Sequence, residues 1–265
     1  MEEHPETVFG AVVTALISRQ EQGRLINESS AEAVAYFDQI RKLKQANKDE
    51  ALWALSLLYQ LCGNAPAALD TLDRISDPQL NAGVQKFCVY ANLGFADQAL
   101  LAYRSLGSPE SGIFTSLIPG GMAIGAFRTL ATFIAQAQRM SLSNMDGVPI
   151  GTLQTAAALL ERAEIYDEDV AAVLCVAGAI LREHGLMYIG NADVEAFESV
   201  GAVRLCYRLA ITPMEAAYLY TCFLDRIVDC HVPMPAPLIV AFEGALEQPI
   251  NHACIDSEPE LEVAP

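Results

Sequence analysis

Apolar positions in the first half of the chain recur in two long stretches that match each other at a spacing of 31 residues. The first, ALWALSLLYQLCGNAPAALDTLDRISDP, starts at Ala51, and the second, AGVQKFCVYANLGFADQALLAYRSLGSP, starts at Ala82. In each stretch an apolar run with helical periodicity ends at a glycine, and a second such run ends before a proline. This pattern predicts a helix, a glycine turn, a second helix and a proline stop, occurring twice. A repeat of this length is typical of stacked helical hairpins, because one hairpin alone cannot bury its apolar face.

Helical periodicity continues through most of the remaining chain. Before the repeat it predicts helices over residues 6–22 and 30–45, the second of which forms part of a third, more degenerate hairpin. After the repeat it predicts helices over residues 122–140, 152–165, 168–184, 192–210, 213–230 and 238–246. The start of one of them is marked by the sequence T-P-M-E at Thr212, which supplies a hydroxyl cap, a proline at the first helical position and a capping glutamate. No segment combines strict apolar–polar alternation with a hairpin turn, so no β-strand is predicted.

These predictions divide the chain into four parts. Hairpin repeats occupy residues 1–110, and residues 111–121, in a stretch rich in Gly, Ser and Pro, form a linker. Residues 122–250 form a C-terminal helical domain or continue the repeat array. Residues 251–265, which end in the acidic sequence DSEPELEVAP, form a disordered tail. The expected fold class is all-α: a superhelical array of antiparallel helical hairpins with a further all-helical part after it.

The central repeat resembles the tetratricopeptide-like (TPR-like) superfamily of helical repeats. The matching residues are turn glycines, alanines at the close approach of two helices, tyrosines in the first helix and prolines after the second: Gly63 and Gly94, Ala68 and Ala99, Tyr59 and Tyr90, Pro78 and Pro109. The resemblance covers residues 51–109 well and residues 6–44 loosely, and the period is about three residues shorter than the usual one. It implies an α-solenoid in which the first helices of successive hairpins line a concave groove for another protein.

The resemblance and the helical spacing together place a set of side chains on the inward face of the first helices. These predicted groove residues are Glu50, Trp53, Leu57, Gln60, Asn81, Val84, Cys88 and Asn92. Members of the superfamily that clamp a peptide carboxylate use lysine, arginine and asparagine here, whereas this chain has Trp53 and Leu57. The groove therefore suits an apolar helix or an extended apolar segment of a partner protein. The alternative is that Trp53 packs inside the hairpin core.

Composition narrows the classes of partner. The chain has 33 Asp and Glu against 16 Lys and Arg, a net charge of −17, and 52% hydrophobic residues. Nucleic acids and anionic membranes bind proteins through clustered basic residues. The sequence has one short cluster of this kind, R-K-L-K at Arg41, so neither is an expected partner. Seven cysteines without a CxxC pair suit a reducing compartment. The acidic start MEEHPET is unlike a targeting signal, so a cytoplasmic location is expected.

Two hypotheses about function follow. In the first, the chain is a non-enzymatic interaction module (an adaptor, a scaffold or a secretion-chaperone-like protein) that binds an apolar segment of a partner protein, needs no cofactor or metal, and can form a homodimer. It expects Trp53 and Leu57 at an accessible surface. In the second, the C-terminal helices form an enzyme or ligand-binding bundle in which Asp225 and Asp229, one helical turn apart, hold a metal or exchange protons. The second requires both carboxylates to be buried at a cavity, whereas the first requires them to be exposed.

Overall fold

The computed structural model describes residues 5–106, 114–140, 149–190 and 192–245. Over these residues the protein is mostly helical, with eleven α-helices and a small three-stranded β-sheet. The sheet contradicts the all-α prediction, and the predicted tail over residues 251–265 lies outside the described residues. None of the described helices is both long enough and apolar enough to cross a membrane.

The first six helices follow one another as packed pairs. They are α1 (Pro5–Gln20), α2 (Ala31–Ala46), α3 (Lys48–Leu61), α4 (Ala65–Asp73), α5 (Ala82–Asn92) and α6 (Ala96–Leu106). Helices α3 to α6 are the four that the sequence repeat predicts, and each is confirmed. Both α1 and α2 pack against α3, α3 packs against α4, and α5 packs against α6, while α4 and α5 join the two repeat units.

The turns at Gly63 and Gly94 repeat in hydrogen bonding as well as in sequence. Both glycines have positive φ angles, 73° and 69°, a conformation that is unstrained only without a Cβ atom. In each turn the amide after the glycine donates to the carbonyl five residues before it, at 2.8 Å. This bond closes the first helix of each pair as a Schellman motif. The 31-residue period therefore has a structural counterpart.

The period extends one unit further than the sequence analysis predicts. Gly125 lies 31 residues after Gly94, has a φ of 67°, and is followed by the same hydrogen bond, at 2.9 Å. It joins α7 (Phe114–Ala123) to α8 (Phe127–Arg139). The linker predicted over residues 111–121 is therefore wrong for its described part, since residues 114–121 lie in α7.

The glycines of this stretch serve helix packing. A Cβ atom at Gly120 would lie 2.6 Å from the ring of Phe87, and one at Gly121 would overlap the hydroxyl of Tyr103. The two glycines therefore let α7 approach α5 and α6 closely. Pro119 also lies inside α7, where it lacks the backbone amide that would donate within the helix. Composition alone suggests a linker here because it cannot show these contacts.

Two further helices, a strand pair and a crossover unit complete the described chain. They are α9 (Ile150–Arg162), α10 (Asp167–Glu183), β1 (Asp193–Phe197), β2 (Ala202–Leu209), α11 (Pro213–Asp229) and β3 (Leu238–Gly244). Strand β1 pairs antiparallel with β2, and β2 pairs parallel with β3, so that α11 is the crossover between parallel strands. The predicted capping box of α11 is confirmed: the Glu215 amide donates to Thr212 Oγ1 at 3.2 Å, and the Thr212 amide donates to the Glu215 carboxylate at 2.8 Å.

The predictions of helices over residues 192–210 and 238–246 are wrong, because these segments form the three strands. On β2, Val203, Leu205 and Tyr207 are buried on one face, and Arg204, Cys206 and Arg208 lie on the other, where Cys206 alone is buried. Only an extended chain places these apolar side chains on one face and the arginines on the other. The buried face packs against the helices, and the other face carries ion pairs between neighbouring strands.

Apolar packing is continuous across the predicted domain boundary. Buried side chains form two contiguous groups, the first built mainly from α1 to α5 and the second running from α5 to β3. Val89 belongs to the first group and Phe87 to the second, so α5 joins them. Tyr103 precedes the predicted linker and Ile118 lies inside it, and both belong to the second group. Among the described residues, apolar packing therefore connects the helices before and after the start of the predicted linker.

Helix α10 lies directly against the turn at Gly94. Gly178 on α10 faces the backbone of Gly94, and a Cβ atom on either glycine would overlap the other residue. One turn later, the Arg182 guanidinium donates to the Leu93 carbonyl and stacks over the ring of Phe95, 4.0 Å from its centroid. These contacts join the turn of the α5–α6 hairpin to the C-terminal part of α10.

A buried carboxylate from α10 caps the N-terminus of α8. The residue before α8, Ala126, has no side-chain acceptor. Asp167, only 2% exposed, accepts hydrogen bonds from the backbone amides of Arg128 and Thr129 at 2.9 Å each and from the Thr129 hydroxyl at 2.7 Å. The first-turn amides of a helix stabilise negative charge, which compensates the burial of this carboxylate.

Candidate functional site

An apolar cavity of about 340 Å³ lies between α1, α3 and the segment that joins α4 to α5; we call it the apolar pocket. Its lining consists of Phe9 and Val13 of α1, Trp53 of α3, residues 79–81, and Val84 and Gln85 of α5. Every lining side chain is apolar or carries a neutral amide. The pocket therefore offers contact surface and hydrogen-bonding groups but no ionisable side chain.

The indole of Trp53 is held in place at the pocket. The side chain is half-buried, and its Nε1 donates to the Leu80 carbonyl at 3.1 Å. Its ring packs edge to face with that of Phe9, with centroids 6.2 Å apart and planes at 69°. Edge-to-face pairs of this kind are favourable, and the hydrogen bond satisfies the one polar atom of the indole. The ring is thus a preformed wall of the pocket.

The segment after α4 provides another part of the wall, and Asp49 holds it against α3. The Asp49 carboxylate accepts hydrogen bonds from the backbone amides of Ser76 and Asp77, at 3.0 and 2.9 Å. A short 3-10 helix, Pro78–Leu80, follows, and Asn81 then adopts a left-handed conformation with φ of 45°. An acid in the first turn of α3 therefore fixes the main chain beside the cavity.

Two buried glutamines form the polar part of the site. Gln85 lines the pocket, and its Nε2 donates to Gln60 Oε1 at 3.3 Å. Gln60 is fully buried, and its Nε2 has no hydrogen-bond partner among the described residues. An unpaired buried amide costs about 1–3 kcal/mol. The apolar walls of the pocket thus meet three amide side chains, those of Gln79, Asn81 and Gln85, of which Gln85 is only 7% exposed.

The structure brings three of the eight predicted groove residues to the pocket: Trp53, Asn81 and Val84. Leu57 and Gln60 are 3% and 0% exposed, which contradicts the expectation that Leu57 is accessible. The reason is that α1 covers this part of α3, as shown by the bond of 3.0 Å from the Gln20 side chain to the Leu57 carbonyl.

The other three predicted groove residues are half-buried at other places. The Glu50 amide donates to the Asn47 side chain in the first turn of α3. The Asn92 carbonyl accepts from the Tyr188 amide at 3.0 Å, so the segment after α10 lies across this end of α5. Cys88 packs against the second apolar group, and burial raises the pKa of its thiol to about 11. The predicted groove is therefore not continuous along α3 and α5.

Sequence reasoning missed the five residues that complete the walls of the pocket: Phe9, Val13, Gln79, Leu80 and Gln85. Phe9 and Val13 are four residues apart and so lie on one face of α1, a spacing that indicates a shared contact surface. Nothing local to α1, however, shows that this face meets Trp53. Leu80 lies in the short segment between two repeat units, outside the helical pattern on which the groove was predicted.

The two carboxylates of the alternative hypothesis are exposed. Asp225 and Asp229 both lie on the surface of α11, and Arg226 between them binds Glu183 through two hydrogen bonds of 2.9 Å. The requirement for buried acids at a cavity is not met. Within the described residues, no three His, Cys, Asp or Glu side chains are grouped so that they could hold a metal ion.

Comparison with models of known protein families, with curated proteins and with solved structures gives no match to this chain.

Proposed function

We propose that this chain is a non-enzymatic protein-interaction module that binds an apolar segment of a partner protein in the apolar pocket. The observation that carries the proposal is the fixed indole of Trp53 at a cavity whose lining is apolar or amide. Binding sites typically combine apolar walls with a few polar groups. Rigid aromatic side chains supply much of the binding energy at protein interfaces, because they bury a large area at little cost in entropy.

Size and chemistry define the segment that the pocket accepts. A volume of about 340 Å³ is at the lower end of ligand sites and suits one bulky aliphatic or aromatic side chain with parts of its neighbours. The exposed amides of Gln79 and Asn81, which also line the pocket, can bond a main-chain group of the same segment and so add a directional bond to the apolar contact. An adaptor, a scaffold and a secretion-chaperone-like protein would all use such a site.

The first test is site-specific photo-crosslinking in the source cells. A photoreactive phenylalanine analogue replaces Val84, which is half-buried at the pocket, and in the matched control it replaces Val200, which is 75% exposed between β1 and β2. We expect position 84, and not position 200, to form one discrete crosslinked product whose attachment site lies in an apolar segment of another protein. Equal products from both positions, or attachment to a charged segment, would overturn the proposal.

The second test uses Trp53 as a reporter, since it is the only tryptophan of the chain. A synthetic peptide of the crosslinked segment should shift the emission of Trp53 in the full chain with a saturable dose dependence. Val84→Glu should weaken binding at least about tenfold, because it places a charge in the apolar wall, while Val200→Glu should leave it unchanged. Loss of binding in both variants would assign the effect to net charge instead of the pocket.

A further inference from the structure

A second cavity, of about 280 Å³, lies where α2, α3 and the end of α4 meet, and its rim is basic; we call it the basic pocket. Its floor is apolar. Ile40 and Leu52 are buried there, and the half-buried rings of Phe37 and Tyr59 pack edge to face with centroids 5.7 Å apart. No residue lines both this cavity and the apolar pocket, so the two sites are separate.

The rim carries four exposed cations: Arg41, Lys44, Lys48 and Arg74. Arg41 pairs with Asp38 at 2.9 Å, whereas the other three make no ion pair within the described residues. The chain has only 16 Lys and Arg and a net charge of −17, so four of its cations around one cavity give this place a charge opposite to that of the whole protein. The overall composition does not require four cations at one cavity. Ion pairs within the described residues do not explain the grouping either, since only Arg41 forms one.

We infer that the basic pocket is a docking site for an acidic segment of a partner protein that carries an aromatic or aliphatic side chain among its carboxylates. The apolar side chain fills the floor between Phe37 and Leu52, and the carboxylates pair with the unpaired cations above it. Charge complementarity of this kind steers association and fixes the register of the segment. At moderate salt, charges interact over about 10 Å. A short acidic segment is therefore attracted by the cations of the rim. A long polyanion also extends over the acidic remainder of the protein, which repels it.

We assign the pocket to a partner protein because its rim of unpaired cations complements an acidic segment, and the chain's own acidic sequence over residues 256–265 is the competing occupant that a deletion tests. The assignment does not depend on the proposed function, because it concerns a different cavity and a different class of segment. Binding at one pocket can therefore fail without affecting the other.

The test measures fluorescence anisotropy of labelled peptides with the full chain. The probe is a short peptide of alternating Glu and Leu around one Phe; one comparison peptide has Lys in place of Glu, and another has Ser in place of the apolar residues. We expect saturable binding of the first peptide only. Raising the salt from about 50 to about 300 mM should weaken it severalfold, because exposed ion pairs are screened.

Charge-matched variants locate the site. Lys44→Glu with Lys48→Glu should weaken binding about tenfold or more, since two attractions become repulsions. Arg139→Glu with Arg162→Glu makes the same change in net charge at exposed positions of α8 and α9 and should alter binding less than about twofold. Equal loss in both variants would show a general charge effect and overturn the inference.

Three further outcomes would also overturn it. One is the absence of saturable binding of the acidic apolar peptide up to about 1 mM. Another is binding of a single-stranded oligonucleotide that is lost with Lys44→Glu and Lys48→Glu, which would assign the pocket to nucleic acid. The third is peptide binding that occurs only when residues 256–265 are deleted, which would show that the chain's own acidic sequence occupies the pocket.

Discussion

Replacing Gly178 by alanine tests the contact between α10 and the turn at Gly94. Gly178 lies in the middle of α10, where alanine is normally favoured over glycine by about 1 kcal/mol. Here, however, the added Cβ atom would lie 2.5 Å from the Gly94 Cα atom and 2.6 Å from its carbonyl carbon. Ordinary contacts of a Cβ atom begin at about 3.4 Å, so the two backbones must separate by roughly 1 Å.

The turn has little freedom to move away. Its glycine is in the left-handed region, its amides are bonded to the end of α5, and Arg182 holds both the Leu93 carbonyl and the Phe95 ring. Overpacking of a close contact costs about 1–3 kcal/mol, and more when only backbone atoms are available to yield. After the gain in helix propensity, we expect Gly178→Ala to lower the free energy of unfolding by about 1–2 kcal/mol.

Gly10 provides the matched control. It lies inside α1, and a Cβ atom there would meet nothing within 4 Å. Gly10→Ala should therefore raise the free energy of unfolding by about 0.5–1 kcal/mol. In urea unfolding followed by circular dichroism, the midpoint should fall by about 0.5–1 M for Gly178→Ala and rise for Gly10→Ala. If both variants move the midpoint upward, α10 does not approach the Gly94 turn as described, and the reasoning is refuted.

Three other predictions concern buried and exposed ionisable groups. Asp167→Asn should lower the free energy of unfolding by about 1–3 kcal/mol, because the NH2 of the new amide would face backbone donors at the start of α8. Urea unfolding measures the change, and a loss below about 0.5 kcal/mol would contradict the capping role of Asp167. Asp225→Asn, on the exposed face of α11, should change stability by less than about 0.5 kcal/mol in the same assay, and a larger effect would show a buried role. Burial raises the pKa of Tyr103, Tyr188 and Tyr207 above the usual value of about 10. The tyrosine hydroxyls therefore ionise at lower pH in the unfolded chain than in the folded one. Their contribution to stability is complete below about pH 10 and decreases above it by about 1.4 kcal/mol per pH unit for each tyrosine. Urea unfolding at several alkaline pH values checks the sign, and a midpoint that stays constant would contradict it.

The hairpins could be predicted because their determinants are local. Gly63 and Gly94 each end an apolar helical run, and the chemistry of a left-handed turn is encoded within a few residues. The third turn, at Gly125, keeps the same spacing, but the composition of residues 111–121 obscured the helix before it. Gly120 and Gly121 make room for rings that come from other helices, and this requirement cannot be detected within the segment itself.

The sheet was missed for a different reason. The β2 sequence A-V-R-L-C-Y-R-L does alternate at Val203, Arg204 and Leu205, but its pairing with β3 depends on a crossover through α11. Short apolar runs such as L-I-V-A-F-E-G of β3 fit either a buried helix or a strand when considered alone. A parallel pair has no turn signal, because its strands are joined by a helix and not by a hairpin.

The candidate sites were predictable to the extent that they lie on the repeat. Trp53 and Val84 were found because equivalent helices of two hairpins were expected to share a surface. Phe9 was not, since the packing of α1 against α3 is a tertiary contact between helices of unrelated sequence. The basic pocket shows the same limit: Arg41 and Lys44 stand together in the sequence, but Arg74 reaches them only through the packing of α4 on α3.

Helix α3 connects the two pockets and also keeps them apart. It places Trp53 in the apolar pocket and Lys48 and Leu52 in the basic pocket, while Leu58 and Leu61 are fully buried in the core between neighbouring helices. A helix packed on several sides transmits a change only if it moves as a body, and closely packed cores resist such movement. The two sites should therefore act independently, so that a change confined to one pocket leaves binding at the other intact. Loss of both activities from a single exposed substitution would mean that α3 itself has shifted.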